Sequence, residues 1–382
     1  MAKRKNRRRR RNPAANFTDD IIVEILSRLP VKSLCRSKCV SSRWRDLISH
    51  PDHRKRLPQT LAGLFYVTEN QGRFPKQALH FINIWDRERR RPIPPPLICP
   101  SLSFIPGYED ISIVNSCNGL LLCRRPESTS FDTFGYVVCN PATESWVALP
   151  GSSSGGKLRA VWLGFDPAVS SHFHVFEFLD KYHGCGAVTG VEIYSSQTGV
   201  WSYKETKWNF GVSIMGDESS VFYNGFLHLV VAQFAIVAVD LEGETWWRVT
   251  SPEDVNPMFG WDPGFVDRYQ GRLCYMNQGG YATHLSIWVL EDYATEEWIL
   301  KHRVSIQRLT EKIITPPSNY TGITIHPDCN WILYAAGWDE TLMAYNVDRE
   351  EVHVIRNLGS DSLVSSYVPY IPLYSGSLTD GQ

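Results

Sequence analysis

The chain has 382 residues, of which 43% are hydrophobic and 12% aromatic, so a sizeable core can be buried. Its formal net charge is −1, which excludes a global field drawing the protein to nucleic acid or to a membrane surface. Nine cysteines occur singly with no C-x-x-C pair, which points away from a disulfide framework and from a zinc ribbon. The longest apolar stretch, Phe226 to Leu241, is interrupted by His228, Gln233 and Asp240, and falls short of the ~18 uninterrupted apolar residues of a membrane span. No apolar secretion segment is seen near the start. A protein of a reducing compartment, nucleus and/or cytoplasm, with no membrane contact and no cofactor, is expected.

The charge is uneven. Lys3, Arg4, Lys5, Arg7, Arg8, Arg9, Arg10 and Arg11 place eight basic side chains in the first eleven residues, with no acidic one. Removing those eight from the 39 basic residues leaves 31 against 40 acidic ones, so the body is mildly acidic. Like charges repel and nothing in this run can be buried, which predicts a disordered tail over residues 1–15. It reads either as a nuclear import signal or as a solvated tail. Nothing downstream continues the positive charge, so nucleic-acid recognition is not expected.

Residues 16–57 carry helical spacing. Thr18 can cap a helix whose first turn holds Asp19 and Asp20 at the positive end of its dipole. Ile22, Ile25, Leu26 and Leu29 come next at i, i+3, i+4, i+7 on one predicted face. Pro30 ends that helix and suits the first turn of the next, which holds Ser33, Leu34, Cys35 and Val40. Ser41 or Ser42 opens a third, with Trp44, Leu47 and Ile48, and His50-Pro51 stops it. A unit of ~40 residues without metal ligands or disulfides usually needs a partner for its apolar faces. The alternative is packing on the domain C-terminal to it.

The run E-I-L-S-R-L-P-V-K-S-L, and after it C-V-S-S-R-W-R-D-L-I, resembles an F-box, particularly the plant type, with Phe17-Thr18 at its opening. The resemblance implies docking to a Skp1-like adaptor and, through it, to a cullin. By position it implies adaptor-facing or module-core roles for Phe17, Ile22, Ile25, Leu26, Leu29, Pro30, Leu34, Val40, Trp44 and Leu47.

From residue 60 to 375 short β-rich runs alternate with Gly, Asn, Asp and Pro turns. Strands are predicted at Leu64–Val67, Leu120–Cys123, Tyr136–Cys139, Phe173–Phe178, Val191–Tyr194, Phe226–Val231, Ile236–Val239, Leu273–Met276, Leu285–Leu290, Ile332–Ala335 and Leu342–Val347. A grammar repeats: a turn such as N-G or Q-G, an apolar strand, a loop, a second apolar strand, a polar turn, then an aromatic or β-branched residue. The markers Trp146, Trp201, Trp246, Trp298 and Val352 are spaced by 55, 45, 52 and 54 residues. Blades of a β-propeller recur at ~40–50 residues with four strands each, which predicts a mainly β array of six or seven blades. Leu64–Val67 with Leu79–Trp85 forms the predicted first blade. Trp-Asp pairs at 85–86, 261–262 and 338–339 share no repeat position, which argues against a WD40 array. C-N-G-L-L-L-C, C-N-P-A-T-E-S-W, L-G-F-D-P and the late P-Y-I-P-L resemble the F-box-associated propeller of plant F-box proteins.

Other chemistry is weakly signalled. G-S-S-S-G at 151–155 lacks the strand and helix of a nucleophile elbow and reads as a loop. His172, His174, His183 and Cys185 fit no standard metal spacing. The abundant aromatics fit inter-blade packing better than a stacking platform. Arg87 to Arg91 and the prolines from Pro92 to Pro100 read as an extended inter-blade loop. The resemblances imply a non-catalytic substrate-recognition subunit of an SCF-type (Skp1-cullin-F-box) E3 ubiquitin ligase, its propeller binding a target protein whose identity is unknown. Two alternatives stand beside it: an F-box scaffold or nuclear transcription co-regulator acting outside a ligase, and a propeller lectin or enzyme.

Overall fold

Asn118-Gly119, Asn224-Gly225 and Gln270-Gly271 each have positive φ at both residues, from 46° to 96°. That is the signature of a type I′ turn, whose twist matches the strands it joins. Each begins one of the sequence repeats, and each closes a tight hairpin. In the computed structural model the described residues are 17–29, 37, 40–50, 53, 61–69, 77–84, 101–126, 134–153, 160–180, 187–208, 211–214, 219–231, 235–252, 264–278, 283–312, 320–326, 330–359, 363–373 and 378. The basic run from Lys3 to Arg11, Pro30, Leu34, His183, Cys185 and residues 85–100 lie outside them. The chain divides into two compact units, residues 1–59 and 60–382.

The larger unit contains β1 (Gly63–Glu69), β2 (Gln77–Asn83), β3 (Ser112–Cys117), β4 (Leu120–Pro126), β5 (Phe134–Asn140), β6 (Ser145–Ala148), β7 (Val161–Gly164) and β8 (His174–Asp180). It continues with β9 (Val188–Ser195), β10 (Val200–Glu205), β11 (Ser220–Tyr223), β12 (Phe226–Val231), β13 (Ala235–Asp240), β14 (Trp246–Val249), β15 (Phe265–Tyr269) and β16 (Arg272–Gln278). The last strands are β17 (His284–Asp292), β18 (Glu297–Ser305), β19 (Tyr320–Ile325), β20 (Trp331–Ala336), β21 (Thr341–Asn346), β22 (Glu351–Asn357) and β23 (Leu363–Tyr370).

Five antiparallel four-stranded meanders run in order, β3 to β6, β7 to β10, β11 to β14, β15 to β18 and β19 to β22. A three-stranded sheet, β2-β1-β23, completes a six-bladed propeller. The first blade thus takes its innermost strand from the far end of the chain. Its outer strands, β1 and β2, lie where the sequence placed them. The ring closes through contacts between successive innermost strands, from β23 to β3 and on round to β19 and back to β23.

The second and third strands of each four-stranded blade are largely buried on both faces. Leu121 and Cys123 pack toward the first blade, with Phe65, Val368 and Tyr370. Leu120 and Leu122, alternating with them, pack toward the third. Val237 and Val239 likewise face the third blade, while Ile236 faces the fifth. The core is therefore a ring of inter-blade layers, and these strands read as unbroken apolar runs for that reason. Trp146, Trp201, Trp246, Trp298 and Val352 all fall at the start of a blade's outermost strand. The Trp201 indole donates to the Pro150 carbonyl (2.8 Å) and that of Trp298 to the Thr250 carbonyl (2.8 Å), each reaching back to the preceding blade.

The motifs of the propeller resemblance meet in space. The Asn140 side-chain amide, from C-N-P, donates to the Leu373 carbonyl at 2.8 Å, in the segment P-Y-I-P-L. A Cβ on Gly119, from C-N-G, would stand 2.3 Å from the Cβ of the same Leu373. Asn118 Nδ2 and Cys117 Sγ donate to the carbonyl of Phe165, in L-G-F-D-P, at 2.6 and 3.2 Å. Gly119→Ala is accordingly expected to destabilise the propeller by at least about 2 kcal/mol, from left-handed backbone strain and overpacking together. Gly271→Ala, with φ +78° but open space around it, should cost only about 1 kcal/mol. Urea unfolding monitored by circular dichroism checks both; equal losses would remove Leu373 from the account.

Candidate functional site

Among the described residues the smaller unit presents the helices α1 (Asp19–Ser27) and α2 (Ser42–Ser49). Thr18 stands at the N-cap of α1 in extended conformation, but its hydroxyl makes no cap hydrogen bond. The first-turn acid Asp19 instead accepts from Arg43 Nε at 2.8 Å, and Arg43 also donates to the Phe17 carbonyl at 2.8 Å. Arg43 thereby ties the start of α1 to α2. Ser41 caps α2 by accepting from the Trp44 amide at 3.2 Å.

Ile22, Val23, Leu26, Leu47 and Ile48 form the buried cluster between the helices, with Leu29 and Trp44 half-buried against it. Ile25 does not join them. The buried face of α1 is rotated toward Val23, and Ile25 turns outward with Ile21, at 38% and 47% exposure. Phe17 and Val40 are exposed as well, at 40% and 63%. Among the residues named from sequence, Ile22, Leu26, Leu29, Trp44 and Leu47 thus build the inside of the module and Phe17, Ile25 and Val40 its outside. Pro30 and Leu34 lie outside the described residues. Ile21 and Val23 were missed; Ile21 precedes Ile25 by four, a spacing that places both on one stripe away from the core. A module this small cannot bury every apolar side chain it carries, and among the described residues Phe17, Ile21, Ile25 and Val40 face solvent.

In the larger unit the six innermost strands surround a central channel of about 710 Å³. Their side chains stitch neighbouring blades together. Asn115 Oδ1 accepts from the Leu163 amide (3.1 Å), and Ser219 Oγ donates to the Val266 carbonyl (3.1 Å). Asp267 Oδ2 accepts from Thr324 Oγ1 (2.6 Å) and from the Ile325 amide (3.2 Å). Burial raises the Asp267 carboxyl above its ordinary range, and these donors oppose that rise. Tight hairpins such as Asn224-Gly225 and Gln270-Gly271 lie at one rim. The described residues that leave the outermost strands, Leu149, Thr206, Thr250 and the short α3 (Ile306–Thr310), lie at the other.

The nucleophile and metal readings gain nothing from the geometry. Ser153 sits in a turn, with its hydroxyl on the Glu192 carboxylate. Among the described residues no group of three or more His, Cys, Asp or Glu could hold a metal ion. His174, His228 and His326 are each pushed down to about 4, chiefly by burial, so they are neutral at pH 7. No helix among the described residues is long and apolar enough to cross a membrane.

Residues 15–56 match the F-box domain, and residues 99–361 match the family described as the F-box associated beta propeller domain. The chain belongs to this family of F-box proteins with a C-terminal β-propeller. It is 27% identical over 312 residues to the F-box protein At5g07610 of Arabidopsis thaliana, covering 76% of this chain and 71% of that one. It is 26% identical over 327 residues to the F-box protein At5g49610 of the same plant, covering 77% and 80%. The putative F-box protein At4g09190, also from Arabidopsis thaliana, is 26% identical over 299 residues, covering 74% and 70%.

The buried histidines make stability pH-dependent. A histidine whose folded pKa lies below its unfolded value near 6.5 contributes stability that is complete above 6.5 and is lost as the pH falls toward 4. For His228, fully buried, that drop amounts to on the order of 3 kcal/mol. Urea midpoints measured between pH 7 and 4 should fall, and His228→Gln should flatten the slope. An unchanged slope would show that His228 does not titrate on unfolding in this range.

Proposed function

We propose that this chain is a substrate-recognition subunit of an SCF-type E3 ubiquitin ligase. The smaller unit docks on a Skp1-like adaptor, which F-box domains bind generally, and through it on a cullin. The propeller holds a target protein. The chain itself is non-catalytic: bringing the target to the ubiquitin carrier raises its effective concentration there, and other subunits perform the transfer.

The observation that carries this reading is the outward apolar set of the module. Phe17, Ile21, Ile25 and Val40 are exposed while Ile22, Val23 and Leu26 close the core behind them. Apolar side chains at i and i+4 on a helix are what a partner's hydrophobic groove accepts. Their exposure also separates docking from folding, which makes the proposal testable.

Full-length protein is expected to capture a Skp1-type adaptor and a cullin in a pull-down. Ile25→Asp should abolish capture while leaving circular dichroism and the unfolding midpoint close to wild type. Leu26→Asp, which buries a charge in the module core, should lose helicity and capture together. Failure of the wild-type chain to bring down adaptor would overturn the proposal. Adaptor capture without cullin would favour the scaffold role instead.

A further inference from the structure

We propose that the central channel of the propeller is a carboxylate-binding site centred on Arg268. The inference concerns an occupant of the channel, and it stands apart from adaptor docking. The channel, about 710 Å³, is lined by the inner strands of all six blades. Small-molecule sites typically span roughly 300–1,000 Å³.

Four charged residues line it: Arg124, Asp267, Arg268 and Glu340. The two acids are occupied. Asp267 takes Thr324 and Ile325 on one oxygen and the Arg268 amide, at 2.7 Å, on the other. Glu340 Oε2 accepts from the Tyr367 hydroxyl at 3.0 Å. Arg268 differs. It is half-buried, and among the described residues its guanidinium makes no hydrogen bond or ion pair. It belongs to β15, in the fifth blade. Arg268 lines the channel beside Asp267, whose carboxyl its charge lowers against the larger effect of burial.

A partly enclosed guanidinium that makes no hydrogen bond or close ion pair is a poorly compensated charge, and an anion entering the channel relieves it. Its planar fork matches a carboxylate through two parallel hydrogen bonds. Asn115, Ser220, Thr321 and Ser366 supply neutral polar groups around the remaining wall. Two carboxylates already line the same channel, and their repulsion favours a singly charged group over a phosphate dianion. The carboxylate can come from an acidic segment of a bound protein or from a free small acid, since the recognising chemistry is the same.

Titration calorimetry on the full-length protein decides the matter, with propionate and an N-acetylated, C-amidated hexapeptide holding a single glutamate as probes and inorganic phosphate as comparison. At least one carboxylate probe is expected to bind with 1:1 stoichiometry; preference for the peptide marks a protein source, and preference for propionate a free acid. Arg268→Gln should weaken binding at least tenfold, and Arg268→Lys, which keeps the charge and loses the fork, by less. Without probe, the thermal midpoint of Arg268→Gln should equal or exceed that of wild type, because relief of the enclosed guanidinium outweighs its attraction to Asp267. Arg272→Gln, which removes a rim arginine already paired with Glu291, should leave affinity unchanged. The proposal is overturned if neither probe binds, if phosphate binds more tightly than both, if Arg268→Gln binds as well as wild type or melts earlier, or if Arg272→Gln weakens binding equally. Adaptor capture plays no part in these readouts, so their failure leaves the receptor reading untouched.

Discussion

The propeller depends on one non-local pairing, β23 on β1. Seven residues of β1 find partners in β23, from Gly63 opposite Tyr370 to Glu69 opposite Leu363. Until that register forms, the first blade has no inner strand, and the innermost strands of the second and sixth blades have no neighbour between them. The entropic cost of closing so long a loop rises only with the logarithm of its length, so the pairing is thermodynamically accessible although slow to find. The segment C-terminal to β23 locks it. Leu373 leans on Gly119 and receives the Asn140 amide, which fastens the chain's last described strand to the second blade as well as to the first. Phe65, Phe81 and Tyr370 fill the layer behind, with ring centroids 4.8 to 6.4 Å apart.

Closure in turn sets the character of the channel. Six inner strands brought together at the axis cannot all point apolar side chains inward without creating a water-exposed greasy tube. Instead they carry Asn115, Ser219, Asp267 and Thr324, which hydrogen-bond across to the next blade's backbone or side chains. These bonds satisfy backbone groups that the narrow inner ends of the sheets would otherwise leave unpaired. They also commit the Asp267 carboxylate, so the guanidinium of Arg268, which makes no hydrogen bond among the described residues, stands out.

The same physics explains what could be read from sequence and what could not. The second and third strands of the four-stranded blades are sandwiched between neighbours and write themselves as apolar runs, so Leu120–Cys123 and Ile236–Val239 were legible. The outermost strands announced themselves through a tryptophan after a polar turn. Glu144, Gly199, Glu296 and Glu350 hold the left-handed position two residues before Trp146, Trp201, Trp298 and Val352. The innermost strands were missed. Ser112 to Cys117 or Leu363 to Tyr370 face the channel on their exposed edge, and their mixed composition has neither the run of a buried strand nor a clean alternation. Without β23 the blade number stayed at six or seven, and the short first sheet looked incomplete. In the helical module, spacing identified the helices but not their rotation. Ile25 and Val23 are both compatible with the predicted stripe, and only the packing of Leu47 and Ile48 decides that Val23 goes in.

The residues by which this chain is known to its family are largely spent on the fold. Four separate motifs meet around the closure between the first, second and third blades: Gly119 and Asn140 meet Leu373, and Asn118, beside Gly119, meets Phe165. A side chain held at 2.6 to 2.8 Å on a carbonyl is not free to meet a target. Family membership therefore predicts the scaffold well and the target hardly at all. Whatever distinguishes this propeller from its relatives, which share about a quarter of their residues with it, has to lie where the scaffold makes no demand: on the rim of inter-blade connections and in the few channel side chains the closure leaves uncommitted.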